Sequence, residues 1–303
     1  MIKTLRPFLD KNLSCDNFLT IPDEEFFQNR ISSNKTIRSK FGKQIDFSYL
    51  CMYYLRILSN AIRHGTEVKK ERKKPSGPSI VIDTVNGTSG TLKGFIIHNQ
   101  LDSLINYYLA ILRLAEDGLT QQAHCLLRTT DELSWLLMVL LYDNNKFNLY
   151  RKLGEDLPKK ERLKVWFGNF TPAILLKTIR EMDDSLLHFG TDVYDYLERA
   201  KNRNTDYVHN SLLACTLGSH GSPFDTDDEL VPLLMGTLTR DVKDIIDHSN
   251  YTMLYFIKAF TFLLSRHCTV KKGKYAIIEA IYACVQQCSI VLQADTSIEE
   301  LEH

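Results

Sequence analysis

With 303 residues, 44% of them hydrophobic, the chain has enough apolar side chain for one or two packed domains. Lys plus Arg and Asp plus Glu are both 37, so a globally basic or globally acidic protein is excluded and any charged ligand must be met by local clustering. The seven cysteines are an odd number with no CxxC pair, which argues for buried free thiols in a reducing cytosol.

The opening MIKTLRPFLDKN carries no apolar run of signal-peptide length. No segment reaches transmembrane length without charge; Tyr251–Ser265 comes closest and Lys258 interrupts it. A soluble, cytoplasmic protein without membrane contact is expected. Leu301–His303 reads as the remnant of a vector-encoded tag.

Residues 1–44 are weakly patterned, with one short helix expected at Pro22–Ile31, and are expected to pack across the outside of a single bundle domain spanning 45–300. Ile45–Arg63 has apolar residues at helical spacing and meets a stop at Gly65. The character then changes. Glu67–Pro75 holds a basic cluster, Lys69 to Lys74, followed by Pro75, Gly77 and Pro78. Ser79–Val85 reads as a strand, Asn86-Gly87 as a tight turn and Thr88–Ile97 as a weaker return strand. The expectation over 67–97 is a mobile basic arm carrying a β-hairpin. Its charges suit either a solvated face or phosphate contact.

Asn99–Asp117 is amphipathic and stops at Gly118, and Thr120–Tyr142 follows almost at once, which predicts an antiparallel helical hairpin. Asp143–Gly168 is charged and holds shorter helices, and Thr171–Met182 opens with a Thr-Pro cap. Thr191–Leu217 is helical with a break expected near Asn202–Asn204. Leu238–His267, broken near Ser249–Asn250, and Gly273–Leu292 complete the pattern. The predicted class is all-α: a helical bundle with a β-hairpin-containing insertion.

Thr120–Tyr142 organises the rest. From Leu133 onward it is apolar on nearly every side, the mark of a helix buried all round. Its first half differs: His124, Arg128, Asp131 and Trp135 fall within about 60° on the helix, with Glu132 beside them. Charge entering a buried helix is costly unless paired or facing a cavity. Two readings stand, an internal Arg128–Asp131/Glu132 ion pair or one wall of a site.

The candidate second wall is Lys201–Ser211, KNRNTDYVHNS. Asn202, Asp206, His209 and Asn210 share one arc, with Arg203 at its edge, while Tyr207, Val208, Leu212 and Cys215 share the opposite arc. Arg supplies a permanent charge and a fork of donors for phosphate oxygens, and His titrates near neutrality. Such a face suits phosphodiester chemistry, and equally an exposed polar surface without a role.

Arg203-Asn204-x-x-x-x-His209 resembles the signature of the HEPN superfamily, an Arg and a His four to six residues apart with a polar residue after the Arg. The stretch also resembles that of uncharacterised bacterial HEPN-like proteins. The resemblance covers roughly 100–219. It implies an all-α bundle, a homodimer whose Arg and His residues line a shared cleft, and metal-independent RNA cleavage of the defence or toxin type by the ribose 2′-hydroxyl. Arg203 would hold the scissile phosphate, His209 would act as acid or base and Asn204 would orient them. Arg128, Asp131, Glu132, Asn202 and Asp206 would form a supporting polar groove.

The remaining clusters are weaker. His124-Cys125 and His267-Cys268 place adjacent side chains about 100° apart, poor geometry for one metal. Cys284 and Cys288, one turn apart, read as core thiols. No Gly-rich phosphate loop, Ser-His-Asp signature or HExxH occurs, so neither metal nor cofactor is expected. The competing class is a noncatalytic helical module that binds a nucleotide or a protein.

Overall fold

The structure is a computed structural model that describes residues 23–67, 78–84, 89–155, 157–187, 191–208, 220–221, 231–232, 239–270 and 276–299. The all-α class is met. The elements are α1 (Asp23–Glu67), β1 (Ile80–Ile82), α2 (Gly90–Glu116), α3 (Thr120–Tyr142), α4 (Asn144–Leu153), α5 (Lys159–Asn169) and α6 (Pro172–Met182), with a π-turn at Asp183–Leu187. They continue with α7 (Thr191–Val208), β2 (His220–Gly221), β3 (Val231–Pro232), α8 (Arg240–His267), β4 (Cys268–Val270) and α9 (Ala276–Glu299).

α3 is the central helix. Residues 134 to 141 are all buried, and α2, α4, α6, α7 and α8 pack around it. A large apolar side chain fully buried in this way contributes about 1.5–3 kcal/mol. α2 delivers the chain to α3 through a three-residue connection in which Gly118 takes φ 70°. Leu119 N–H donates to Leu114 O at 2.8 Å and Gly118 N–H to Ala115 O at 3.0 Å, closing the helix with the two bonds of a Schellman motif. The expected helical hairpin is thereby formed.

α1 runs without a break across residue 44, bending at Phe41, whose φ −117° and ψ 20° leave the helical region. Ile37 and Phe41 are core residues, so the helix enters the bundle core before residue 45. α1 lies against α2, α8 and α9.

The β-hairpin expected over 79–97 is not formed. Ile80–Ile82 is a strand, but it pairs antiparallel with Cys268–Val270, Ile80 opposite Val270 and Ile82 opposite Cys268. The expected return strand is instead the first two turns of α2, capped by Ser89, whose hydroxyl accepts from Leu92 N–H. Ile80 and Ile82 are buried on one face, and an all-helical neighbour must cover them. Two glycines make that approach possible. A Cβ on Gly65 would lie 1.8 Å from Ile80 O, and one on Gly90 would lie 1.8 Å from Ile82 O. Gly65 therefore serves strand packing, and α1 continues past it to Glu67. Residues 68–77, with the basic cluster, lie outside the described residues.

α8 is continuous through Ser249–Asn250, where a break was expected. The polar side chain there bonds sideways rather than to its own backbone: Asn250 Nδ2 donates to Gln44 O at 3.0 Å and Ser48 Oγ donates to Asn250 Oδ1 at 2.5 Å. Likewise α7 runs through 202–204 unbroken.

Candidate functional site

The charge stripe of α3 divides into two parts. Arg128 Nε donates to Glu132 Oε1 at 2.8 Å, an i,i+4 pair at the edge of the bundle with both side chains partly exposed. Asp131 takes no part in it. Its carboxylate is 1% exposed and points into the seam where α3 meets α7 and α8.

Three helices converge on this carboxylate. His248 of α8, itself 1% exposed, places Nε2 3.0 Å from Asp131 Oδ2, and Asn204 of α7 donates Nδ2–H to the same oxygen at 3.4 Å. A carboxylate can only accept, so Nε2 of His248 carries the proton. In the neutral ring Nδ1 is then an acceptor, and Tyr196 Oη, 2.7 Å away, donates to it. The amide of Asn204 is oriented by the same logic: with Nδ2 turned to Asp131, Oδ1 accepts from His124 Nδ1 at 3.4 Å. The chain of donors runs from both ends toward Asp131. Among the described residues Asp131 Oδ1 has no hydrogen-bond partner. Burial pushes the Tyr108 phenol well above its ordinary range, and the neighbouring Asp131 carboxylate adds to the shift.

The network opens to solvent at one end. Tyr196 is half-buried, stacks on the His248 ring at 5.6 Å, and meets Tyr251, which is 38% exposed, at 4.3 Å between centroids. This Tyr–His–Asp line joins a half-buried tyrosine to a buried carboxylate. It pins α3, α7 and α8 together.

The sequence-derived residues fall unevenly around it. Asp131 and Asn204 meet in the buried seam, and Trp135 is buried beside them on α3 at 1% exposure. Asn204 belongs to the docking side of α7 with Leu197 and Ala200, whereas Asn202 is exposed on the other side. Arg203 and Asp206 are helical positions of α7 whose side chains lie outside the described residues, and His209 lies wholly outside them. Tyr196 and His248 are functional candidates that local spacing does not reveal. The available signal was Asp131 itself: a carboxylate in a buried helix requires a donor, and His248 is a polar residue among the apolar positions of its own helix.

Among the described residues no group of three or more His, Cys, Asp and Glu side chains is placed to hold a metal ion, and no helix is long and apolar enough to cross a membrane. Cys51, Cys125, Cys268, Cys284 and Cys288 are free thiols. Comparison with protein-family models, curated proteins and solved structures found no match to this chain.

Proposed function

We propose that this protein is a HEPN-like endoribonuclease that cleaves single-stranded RNA without a metal ion. The ribose 2′-hydroxyl attacks the adjacent phosphorus, the P–O5′ bond breaks, and the products are a 2′,3′-cyclic phosphate and a free 5′-hydroxyl. Arg203 neutralises the phosphate oxygens, where charge grows in the transition state. His209 takes the 2′-hydroxyl proton or returns one to the departing 5′-oxygen.

The observation that carries this reading is the anchoring of Asn204. Its side chain is fully buried and held from both sides by His124 and Asp131, and Arg203 is its immediate neighbour in α7. Asn204 is accordingly a positioning residue with no contact to RNA. Clamping it fixes the rotation of the helical turn that presents Arg203, as catalysis by a rigidly placed cation requires. RNA is then the partner, and a homodimer would bring two such turns to one cleft.

The test is cleavage of a single-stranded RNA in the presence of a chelator. His209→Ala lowers the rate of the chemical step by roughly 10²–10⁴-fold. Arg203→Ala has an effect of similar size, and both variants keep the helical spectrum and melting temperature of the parent. Cleavage that needs a divalent ion, or that survives both substitutions, overturns the reading. A noncatalytic helical module is the second reading, favoured by the closure of the Asp131–His248 seam to any substrate; it predicts no cleavage by any variant.

A further inference from the structure

We propose that the cleft between α2, α4 and α5 binds a nucleotide unit, its base stacked on Trp166 and its phosphate held by Arg151, Lys159 and Arg162. This binding does not require the cleavage chemistry above, since a noncatalytic protein would hold the same group.

The cleft has a volume of about 710 Å³, within the range of small-molecule sites. Among the described residues its walls combine three aromatic rings (Phe95, Tyr150 and Trp166) with three cations and no acidic side chain. The cations are available. Lys159 and Arg162 form no ion pair among the described residues, and Arg151 has only a 3.7 Å contact with an exposed Glu155, an interaction of little worth in water. The whole chain is neutral, yet residues 146–164 hold seven Lys and Arg against three Asp and Glu. The positive charge is concentrated here by sequence.

α5 is unusual as a folded element because none of its side chains is buried, while Leu163, Trp166 and Phe167 are 44%, 38% and 63% exposed. Its geometry is fixed from the side instead. The Trp166 and Tyr150 rings both pack on the buried ring of Phe170, at 5.8 and 5.7 Å between centroids. Gln100 Nε2 donates to Tyr150 Oη at 3.1 Å, and Lys146 Nζ donates to Asn169 O at 3.2 Å, tying α4 to the end of α5. The rings thus stand in place before a ligand arrives, with cations on the same two helices. An apolar ligand would have no use for three cations, and a bare phosphate none for three rings. A base joined to a phosphate uses both, by stacking and charge neutralisation.

Two sources of that group exist, a free mononucleotide and a unit of single-stranded RNA. The chain has two tryptophans, of which Trp135 is buried, so ligand-induced quenching reports on Trp166. The full chain is titrated with AMP and UMP, and separately with a labelled 2′-O-methyl oligonucleotide of roughly ten residues, which cannot be cleaved. Both the quench and its loss are therefore read whether or not the protein cuts RNA.

Quenching by either probe is expected. The double variant Lys159→Glu/Arg162→Glu weakens binding at least about tenfold, and Trp166→Leu, followed by anisotropy of the label, weakens it by roughly five- to a hundredfold. For the oligonucleotide the slope of log K against log salt is about −0.7, from the one phosphate that the three cations hold. Equal affinity for mononucleotide and oligonucleotide identifies a free nucleotide as the ligand; affinity confined to the oligonucleotide identifies RNA. Absence of quenching by both probes overturns the proposal. So does inorganic polyphosphate binding as tightly as the oligonucleotide and unchanged in Trp166→Leu. Concentration-dependent self-association that is lost in Trp166→Leu also overturns it, by assigning the α5 face to a second copy of the chain.

Discussion

Replacing His248 by Leu removes the shorter of the two hydrogen bonds to the Asp131 carboxylate and leaves that carboxylate inside the protein. The carboxylate is then held only by Asn204 at 3.4 Å, with Oδ1 already without a partner. Taking one member from such a pair costs about 3–5 kcal/mol, because the remaining charge stays desolvated. For a chain of this size that corresponds to a fall in melting temperature of roughly 5–15 °C. Removing both members behaves differently. Asp131→Leu/His248→Leu deletes the uncompensated charge, and what is left is the unpaired amide of Asn204, worth about 1–3 kcal/mol, while Tyr196 can turn to water. The double variant is therefore more stable than His248→Leu alone. Urea unfolding followed by far-UV circular dichroism on the parent, both single variants and the double variant gives the coupling energy, expected at about 2 kcal/mol or more. Additivity of the two single effects within about 0.5 kcal/mol, or a His248→Leu protein as stable as the parent, would refute the reasoning.

Two further predictions rest on the same packing. Burial holds the Lys93 ammonium at about 8, below its ordinary 10.5, with Cys268 and Asp143 partly offsetting the shift. Between these two values the unfolded chain keeps a proton that the folded chain has lost, so this site makes stability rise with pH across that window by up to about 3 kcal/mol, and contributes no slope below it. Thiols and phenols raised by burial oppose the trend above pH 9, Cys268 standing at about 12. The measurement is thus the difference in unfolding free energy between the parent and Lys93→Met, which widens in favour of the parent from pH 8 to 10; a flat difference contradicts it. Gly90→Ala cannot keep its Cβ 1.8 Å from Ile82 O, and displacement of β1 costs about 1–3 kcal/mol. Gly42→Ala, where the new Cβ meets nothing within 4 Å in the same class of element, gains up to about 1 kcal/mol, and equal effects at the two sites would rule out the steric account.

What the sequence discloses is what depends on neighbours along the chain. The 3.6-residue period of Thr120–Tyr142 and the stop at Gly118 carry the helical hairpin, and the charge stripe on its first half marks Asp131 as needing a partner. Pairings between distant segments are hidden. Ser79–Val85 followed by Asn-Gly has every local sign of a hairpin, yet Ile80–Ile82 pairs with Cys268–Val270, and the apolar run after the turn winds into α2. Gly65 has the look of a helix stop because an approaching carbonyl from Ile80 leaves no trace in local composition. His248 is the clearest case. It stands 117 residues from Asp131, next to Ser249 and Asn250, whose polarity suggests a break in the helix. Asn250 and His248 instead bond to other helices, which only the assembled bundle reveals. The Arg203-Asn204 segment was visible as a motif, but the burial of Asn204 between His124 and Asp131 follows from packing of α7 on α3.

The most direct test of RNA cleavage by 2′-hydroxyl attack is an oligoribonucleotide carrying a single 2′-deoxy residue immediately 5′ to the scissile phosphate. Cleavage is followed in chelator, with mass spectrometry of the product ends. The account predicts that the unmodified strand yields a 2′,3′-cyclic phosphate and a 5′-hydroxyl, and that the single deoxy substitution abolishes cutting at that bond alone. Continued cutting there, or products ending in a 5′-phosphate, would contradict it.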